Sequence, residues 1–156
     1  MEKVKKILAP TDLSALSCVG VRYALEMARE TSAEVIVQYV VAMGEYWFSA
    51  NEKFRPVREL LAKEKSVLDK FLREKFSDGI NLVEIIQKVE VGTPYGNIVE
   101  MAERERVDMI IMSTHGRTGL DHILLGSVTE KVVCRAPCPV LVIPALDRRK
   151  EATKAA

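Results

Sequence analysis

Short apolar segments alternate with segments of helical spacing along almost the whole of this 156-residue chain. The apolar segments have the length of strands, and the segments between them are long enough to cross back over a sheet. This alternation predicts right-handed crossovers and an α/β fold, with a single doubly wound sheet of five parallel strands and helices on both faces. The predicted strands are residues 4–10, 34–41, 82–91, 107–112 and 139–144.

Capping residues predict where the helices begin and end. The first helix is predicted to begin at Ser14, whose hydroxyl would act as the N-cap. A long amphipathic helix is predicted over residues 57–76, with Gly79 supplying the left-handed residue that closes it. Thr93 and Pro94 have the pattern of an N-cap followed by a first helical residue, so a further helix is expected to begin there.

Composition limits the classes of function. The net charge is +1, with 48% hydrophobic and 29% charged residues, which is typical of a soluble domain and not of a protein with a nucleic-acid-binding basic face. No apolar run of about 18 residues occurs, so no membrane partner is expected. Cys18, Cys134 and Cys138 lack zinc or disulfide-framework spacing, and no signal-peptide pattern is present, so we expect a cytoplasmic protein. We predict one domain over residues 1–146 and a charged, flexible tail over residues 147–156.

A strand, a glycine-containing loop and a helix follow one another in a pattern that suits phosphate binding. The loop begins at Ser113 and contains Gly116 and Gly119, and Gly126 and Ser127 stand at the start of the next helical segment. Backbone N–H groups at a helix N-terminus lack intrahelical partners, and the helix dipole favours an anion there. The spacing matches neither a Walker A loop nor the dinucleotide fingerprint. The segment is therefore predicted to bind phosphate through its backbone.

Two loops are predicted to face one crevice. In doubly wound sheets, ligands bind beyond the carboxyl ends of the strands, where the strand order reverses. If the first and fourth predicted strands are neighbours there, the loop Pro10-Thr11-Asp12 faces the loop that begins at Ser113. The crevice between these loops is the predicted ligand site.

Several segments of the chain resemble the universal stress protein family. Residues 7–14 resemble the opening of these proteins, and residues 138–144 resemble their last strand. Between them, residues 112–120 and 124–128 resemble the ATP-binding motif of the family. The resemblance spans roughly residues 3–144. It implies the strand order 3-2-1-4-5 in a protein that forms dimers and, in one subclass, binds ATP.

The ATP-binding subclass is marked by a glycine, two residues, a second glycine, nine residues and a third glycine followed by Ser or Thr. Gly116, Gly126 and Ser127 match the later part of this pattern, and Ser113 stands where the first glycine is expected. The resemblance therefore implies an ATP site in which serine replaces one motif glycine. The implied nucleotide-binding residues are Pro10, Thr11, Asp12, Val40, Met112, Ser113, His115, Gly116, Arg117, Gly126, Ser127, Val128 and Thr129.

Several of these residues also have a purely structural interpretation. Asp12 can contact ribose or adenine, or it can serve as a turn residue before the first helix. Val40 can press on the adenine face or belong to the core, and Arg117 can bind a phosphate or stay at the solvated surface. Ser127 and Glu130 fit a capping box, which is compatible with phosphate binding because other N–H groups of the first turn stay available.

Two features outside the motif have alternative interpretations. The aromatic segment Tyr46-Trp47-Phe48, with Phe54, can form a lid over the base or a partner surface, or it can pack as a loop on the sheet edge. Cys134 and Cys138 can form a thiol switch, or they can be buried or half-buried spectators. The structural interpretation is favoured in both cases.

No nucleophile, base and orienting group form a catalytic set in this sequence, so ligand binding is predicted rather than turnover. We predict a homodimer that binds ATP as a structural or signalling ligand in a stress response, with Mg²⁺ or Mn²⁺ held mainly by the phosphates. The alternatives are a nucleotide-independent interaction protein and a slow ATP hydrolase. The dimer is predicted to form through the last strand, from Pro139 to Pro144, because its apolar residues would otherwise leave an uncovered sheet edge.

Overall fold

Strands and helices alternate in the computed structural model, which describes residues 3–44, 56–115 and 125–145. The strands are β1 (Lys6–Thr11), β2 (Glu34–Ala42), β3 (Ile85–Gly92), β4 (Met109–Ser113) and β5 (Val140–Ile143). The α-helices of the described residues are α1 (Cys18–Thr31), α2 (Val57–Lys75), α3 (Pro94–Arg104) and α4 (Ser127–Arg135).

The strands form one parallel sheet with the order β3-β2-β1-β4-β5. This confirms the predicted fold class and strand order, including the neighbouring positions of β1 and β4. The chain moves outward from β1 to β3 and then returns to begin β4 on the other side of β1. The strand order therefore reverses between β1 and β4, which makes their carboxyl ends the expected place for a ligand.

Helices cover both faces of the sheet, as predicted. Side chains alternate along β2, so Val37 packs in a core with α1 and α2, whereas Ile36 packs in a second core with α3 and α4. Leu68 of α2 and Met101 of α3 are completely buried in these two cores. Each such side chain contributes about 1.5–3 kcal/mol through removal of apolar surface from water. The two cores hold the sheet between the helix layers.

Helix α1 lies directly on the backbone of β4. A Cβ atom added to Gly20 would lie 2.8 Å from the Ser113 nitrogen and 2.9 Å from the carbonyl carbon of Met112. Glycine costs about 1 kcal/mol in a helix interior relative to alanine, and here the close helix–strand approach requires it. Gly20 therefore sets the distance between α1 and the end of β4.

The predicted start of α1 is wrong. The helix begins at Cys18 and not at Ser14, because Leu13 has a left-handed backbone with φ of 66° and a turn precedes the helix. The Ser14 hydroxyl accepts a hydrogen bond from the Ser17 N–H at 3.2 Å within this turn. Ser14 thus stabilises the loop before the helix, while Ser17 occupies the N-cap position.

The residue predicted to close the second helix is also wrong, although the helix ends within one residue of its predicted end. Helix α2 ends at Lys75, and the next residue, Phe76, is almost completely buried, with φ of −133°. Gly79 has φ of −125°, so it does not supply a left-handed closing residue. A short 3₁₀ turn, Ile80–Leu82, follows, which is why β3 begins three residues later than predicted. By contrast, Thr93 is the N-cap of α3 as predicted.

Strand β4 begins two residues later than predicted because Asp108 has a different role. Its Oδ2 atom accepts hydrogen bonds from the backbone N–H groups of Lys5 at 2.7 Å and Lys6 at 2.8 Å. A carboxylate that accepts two backbone N–H groups fixes the chain where β1 enters the sheet. Asp108 thus ties the amino ends of β1 and β4 together.

Some predictions fall on residues that the structure does not describe. The aromatic segment Tyr46-Trp47-Phe48, with Phe54, lies outside the described residues, as does the predicted tail at 147–156. The domain boundary at residue 146 therefore stays a prediction. Within the described ranges, no helix is long and apolar enough to cross a membrane.

Candidate nucleotide-binding site

A cavity of about 260 Å³ lies at the carboxyl ends of the strands, where the strand order reverses. It is lined by the ends of β1, β2 and β4 and by the first turns of α3 and α4. Two of the thirteen predicted site residues, Gly116 and Arg117, lie outside the described residues. The other eleven all line this cavity: Pro10, Thr11, Asp12, Val40, Met112, Ser113, His115, Gly126, Ser127, Val128 and Thr129.

The loop after β1 is held in one conformation by its own side chains. The Thr11 hydroxyl lies 2.8 Å from the Ser17 hydroxyl and accepts the Leu13 N–H at 3.0 Å. Asp12 Oδ1 accepts the Ser14 N–H at 3.0 Å, so Asp12 has the turn role that was one interpretation of the sequence. Because Asp12 also lines the cavity, this turn fixes the carboxylate at the edge of the site.

The loop after β4 is fixed to both neighbouring elements. Thr114 donates its N–H to the Ile143 carbonyl at 2.9 Å, and its own carbonyl accepts the Gly126 N–H at 2.7 Å. The Thr129 hydroxyl, which is buried, donates to the Ser113 carbonyl at 3.0 Å. These bonds hold the end of β4 against the start of α4, so this side of the cavity is preorganised.

Ser113, which stands in place of a motif glycine, is compatible with this geometry. Ser113 is the last residue of β4, and it is not among the described non-glycine residues that have a positive φ. Its hydroxyl donates to the His115 carbonyl at 2.7 Å. The His115 ring lies beside Thr114, with Nδ1 3.1 Å from the threonine hydroxyl. A glycine is therefore not needed here for backbone freedom, and the serine side chain stabilises the loop.

The N-terminus of α4 points its backbone donors at the cavity. Gly126 is the N-cap and no side-chain cap is present, so the predicted capping box of Ser127 and Glu130 is wrong. Within the described residues, the N–H groups of Ser127, Val128 and Thr129 have no hydrogen-bond acceptor. Such donors, with the helix dipole, form an anion-binding site. The capping box is absent because Ser127 is already the first helical residue.

Contacts within the protein leave little space for a side chain at Gly126. A Cβ atom at this position would lie 3.2 Å from the Thr114 carbonyl oxygen and 3.6 Å from the His115 Cα atom. The residue therefore allows the loop after β4 to approach the start of α4 closely. Its role in the site is to bring these two backbones together.

The β2 side of the cavity contains residues that the sequence analysis did not select. Ala42, Pro94 and Ile98 form an apolar wall with Val40, and Gln38 lies in the floor with no exposed surface. Among the residues that the structure describes, Gln38 Oε1 has no hydrogen-bond partner. A buried unpaired acceptor costs about 1–3 kcal/mol, so its presence calls for an explanation. The signal in the sequence was a single amide inside the apolar strand 34–41.

The orientation of the Gln38 amide is fixed by its neighbours. Nε2 donates to Glu90 Oε2 at 2.9 Å and to the Asn97 carbonyl at 3.1 Å. Burial raises the pKa of Glu90, but hydrogen bonds from Arg104, Gln38 and Asn97 outweigh burial and hold that pKa below its ordinary value. Glu90 is therefore a carboxylate at neutral pH, and the amide nitrogen must face it. The unpaired atom is the oxygen.

The cysteines do not form a reactive cluster in the described structure. All three are free thiols, and Cys134 is exposed, so the prediction of a buried or half-buried residue is wrong for Cys134 and correct for Cys138. Burial raises the pKa of Cys138, and the nearby Asp108 carboxylate raises it further. Burial also raises the pKa of Cys18. Both half-buried thiols therefore stay protonated and unreactive at neutral pH.

The family model described as the universal stress protein family matches residues 3–144. This chain belongs to the universal stress protein family. It is 39% identical over 142 residues to universal stress protein MJ0531 of Methanocaldococcus jannaschii, a match that covers 89% of this chain and 81% of the relative. The sequence resemblance therefore identified the family correctly.

Solved structures of the family share the fold. The structure of protein MJ0577 of the same organism has a TM-score of 0.71 and 34% identity, with 92% of this chain and 97% of that chain covered. A universal stress protein from Archaeoglobus fulgidus, solved in complex with dAMP, has a TM-score of 0.59 and 22% identity, with 91% and 99% covered. The five-stranded parallel sheet of this chain is thus the family fold.

Proposed function

We propose that this universal stress protein is a cytoplasmic homodimer that binds ATP in the cavity as a structural or signalling ligand in a stress response. The observation that carries the proposal is the meeting of eleven predicted site residues around one cavity at the reversal of strand order. The cavity offers backbone donors at one end and an apolar wall at the other. A nucleotide has an anionic end and a flat apolar base, which match these two ends.

The phosphate end of the ATP site is the N-terminus of α4. The N–H groups of Ser127, Val128 and Thr129 would donate to phosphate oxygens, and the helix dipole would favour their negative charge. Gly116 and Arg117 are proposed to complete this end of the site. Any Mg²⁺ or Mn²⁺ would enter with the nucleotide and be held mainly by its phosphates.

The nucleoside end lies between β1 and β2. Asp12, held by its turn at the cavity edge, is proposed to accept hydrogen bonds from ribose hydroxyls, and Val40 to pack on the base. The Archaeoglobus fulgidus relative, which was solved with dAMP, supports an adenine nucleotide as the ligand class. Binding of adenine nucleotides is therefore favoured over a nucleotide-independent role.

The replacement of the motif glycine is also consistent with binding. Ser113 is extended, and its hydroxyl is directed to the His115 carbonyl. The loop thus keeps a small residue at this point without backbone strain. This observation favours the ATP-binding interpretation over the alternative that Ser113 had suggested.

Thermal unfolding of protein shown by native mass spectrometry to be free of ligand tests the proposal. At a concentration about 100 times its dissociation constant, ATP with Mg²⁺ should add about 2.7 kcal/mol of stability and raise Tm by about 5–10 °C. GTP should raise Tm less if the base is distinguished. Absence of any shift with either nucleotide would contradict the proposal. Phosphate release in the same samples should not exceed that of the nucleotide alone.

Dimerisation is proposed to occur through β5. This strand lies at one edge of the sheet, and its four apolar residues, Val140–Ile143, are only half-buried in the single chain. An antiparallel pairing with the same strand of a second copy would satisfy both edges about a two-fold axis. The flanking Pro139 and Pro144 would limit the paired length.

A charge in the centre of β5 tests the interface. Val142→Lys should give monomer or insoluble protein, because each dimer would bring two ammonium groups together. Val57→Lys, which places the same charge at a residue of α2 that is 43% exposed, is the control and should stay dimeric. Sedimentation measures the outcome. A monomeric parent protein at tens of micromolar, or a well-folded Val142→Lys dimer, would exclude this interface.

A further inference from the structure

A single carboxylate on β3 holds the helix that supplies part of the apolar wall of the cavity. Glu90 accepts hydrogen bonds from Gln38 of β2 and from Asn97 and Arg104 of α3. We propose that Glu90 is a positioning residue, which fixes α3 at the distance from β2 that the nucleoside end of the ligand requires. The inference rests on the proposed nucleotide function, and Glu90 is not among the described residues that line the cavity.

The two oxygens of Glu90 bind both ends of α3. Oε2 accepts Asn97 Nδ2 at 3.4 Å in the first part of the helix, and Oε1 accepts Arg104 Nη2 at 2.7 Å at its last residue. Asn97 and Arg104 are seven residues apart, so they lie on the same face of the helix. A contact near each end of one face fixes both the rotation of α3 and its position along the sheet.

Gln38 connects the same carboxylate to β2. Its Nε2 atom donates to Glu90 Oε2 at 2.9 Å and to the Asn97 carbonyl at 3.1 Å. Both N–H donors of this amide are therefore used between β2, β3 and α3, while Oε1 has no partner among the described residues. The use of the nitrogen accounts for an amide within an apolar stretch of β2, because no apolar side chain could supply these bonds.

The contacts of Asn97 transmit its position to the cavity wall. The Asn97 N–H donates to the Thr93 carbonyl at 2.9 Å, which closes the first turn of α3. Pro94 and Ile98, on either side of Asn97 in this part of the helix, both line the cavity. A Cβ atom added to Gly92 would lie 2.9 Å from Asn97 Cγ, so the end of β3 packs tightly against this side chain. Movement of Asn97 would therefore move the wall.

The chemistry of the network requires a carboxylate at position 90. Donors face both oxygens, and a glutamine of the same shape has only one acceptor atom. Its NH₂ group would have to face either Arg104 or the pair Gln38 and Asn97, so donors would face donors. Glu90→Gln thus keeps the shape of the side chain but releases α3 at one of its ends.

Titration calorimetry of Glu90→Gln with adenosine and with ATP tests the inference. Adenosine occupies only the nucleoside end, so its affinity should fall about fivefold, the size expected for one lost hydrogen bond. ATP affinity should fall by the same factor, because the start of α4 is unchanged and the ratio of the two dissociation constants stays parental. At a temperature well below Tm, lower stability by itself changes neither affinity, so the measurement separates positioning from stability.

Asp69→Asn is the matched control. Asp69 of α2 accepts the Gln87 amide at 3.0 Å and the Arg73 guanidinium at 2.8 Å, so this carboxylate also joins a helix to β3. It does so on the opposite face of the sheet, and neither Asp69 nor Gln87 is among the described residues that line the cavity. The same change from carboxylate to amide should therefore leave both affinities at their parental values.

Arg104→Met is the second variant, for the case that Glu90→Gln does not fold. The Arg104 side chain is 53% exposed, and its loss removes only the bond at the far end of α3. Adenosine affinity should then fall about twofold, again with a parental ratio between the two ligands.

The possible failures of the two proposals are distinguishable. Unchanged adenosine affinity in Glu90→Gln, or in Arg104→Met if the first variant does not fold, would overturn the inference and leave the ATP site standing. A larger loss for ATP than for adenosine, or an equal loss in Asp69→Asn, would also overturn it. If the parent protein binds neither ligand, the proposed function fails as well.

Discussion

The polar groups at the two ends of the sheet differ in whether they have partners within the described part of the protein. At the amino end, Asp108 accepts the backbone N–H groups of Lys5 and Lys6, and Glu105 lies within 3.9 Å of Lys6 and 3.7 Å of Lys88. At the carboxyl end, within the described residues, the first N–H groups of α4 have no acceptor, and Gln38 Oε1 has no partner. Glu34 Oε1, at the amino end of β2, has no hydrogen-bond partner among the described residues but lies 3.3 Å from Lys6 Nζ. The charged groups at the amino end are thus paired with one another, whereas the carboxyl end has backbone donors without acceptors among the described residues.

This difference shows how function can be located without a bound ligand. Both ends contain charged or polar side chains, so composition does not distinguish them. Donors at the start of α4 lie beside an apolar wall in one cavity at the reversal of strand order, and such a combination of polar groups and apolar lining is typical of a ligand site. The amino end has the features of a stabilising region, whereas the carboxyl end has those of a binding site.

The largest effect on stability is expected at Gly20, where α1 packs directly on the backbone at the end of β4. Gly20→Ala would place a methyl group within 3 Å of the Met112 and Ser113 backbone, so α1 or β4 must move. We expect a loss of about 3 kcal/mol in the free energy of unfolding, together with weaker ATP binding. Urea unfolding and calorimetry measure the two effects.

Gly79→Ala is the control for this substitution. A Cβ atom at Gly79 would meet nothing within 4 Å, so the free energy of unfolding should change by less than about 0.5 kcal/mol. A Gly20→Ala protein as stable as the parent would show that α1 does not constrain the end of β4.

The next-largest effect is expected on nucleoside binding at the carboxyl end of the sheet. Asp12→Ala should weaken adenosine binding about tenfold, since its proposed contacts are with the nucleoside, and should cost about 1 kcal/mol of stability through loss of its turn. Asp78→Ala, which removes an exposed carboxylate 3.6 Å from Arg22, is the control. If the Asp12 variant loses affinity for ATP but not for adenosine, the assignment of Asp12 to the nucleoside is wrong.

A smaller effect on stability, and none on binding, is expected at the amino end. Asp108→Ala removes the acceptor of two backbone hydrogen bonds at an exposed position, so it should cost about 1 kcal/mol of stability. ATP affinity should be unchanged, because this residue lies at the opposite end of the sheet. Asp108→Asn keeps an acceptor and should lose less. A fall in ATP affinity in the Asp108→Ala protein would contradict the proposal that the amino end stabilises the fold without contributing to ligand binding.

Apolar segments and loop motifs are local patterns, so they predicted five parallel strands and the loops that meet at the cavity, whereas the strand order was implied by the resemblance to the universal stress protein family. The sequence did not predict details that depend on tertiary contacts. The shift of the first helix start from Ser14 to Cys18 follows from a left-handed Leu13. The Ser127 capping box is absent because Gly126 is the N-cap and Ser127 is the first helical residue. Neither backbone conformation leaves a pattern in neighbouring residues.

The amide in the cavity floor shows the same limit. Gln38 stands in a strand of apolar residues, and its neighbours in space, Glu90 and Asn97, come from β3 and α3. Only the fold shows that Nε2 is occupied while Oε1 has no partner among the described residues.

The most direct test of the account is an ATP titration of isotope-labelled protein, followed through assigned backbone amide resonances. The account predicts large shifts for the amides of Ser127, Val128 and Thr129, whose donors have no acceptor within the described residues. The amides of Lys5 and Lys6, already bonded to Asp108, should not move. Shifts confined to the amino end, or no shift at the start of α4 under saturating ATP, would contradict the proposal that the carboxyl end is the nucleotide site.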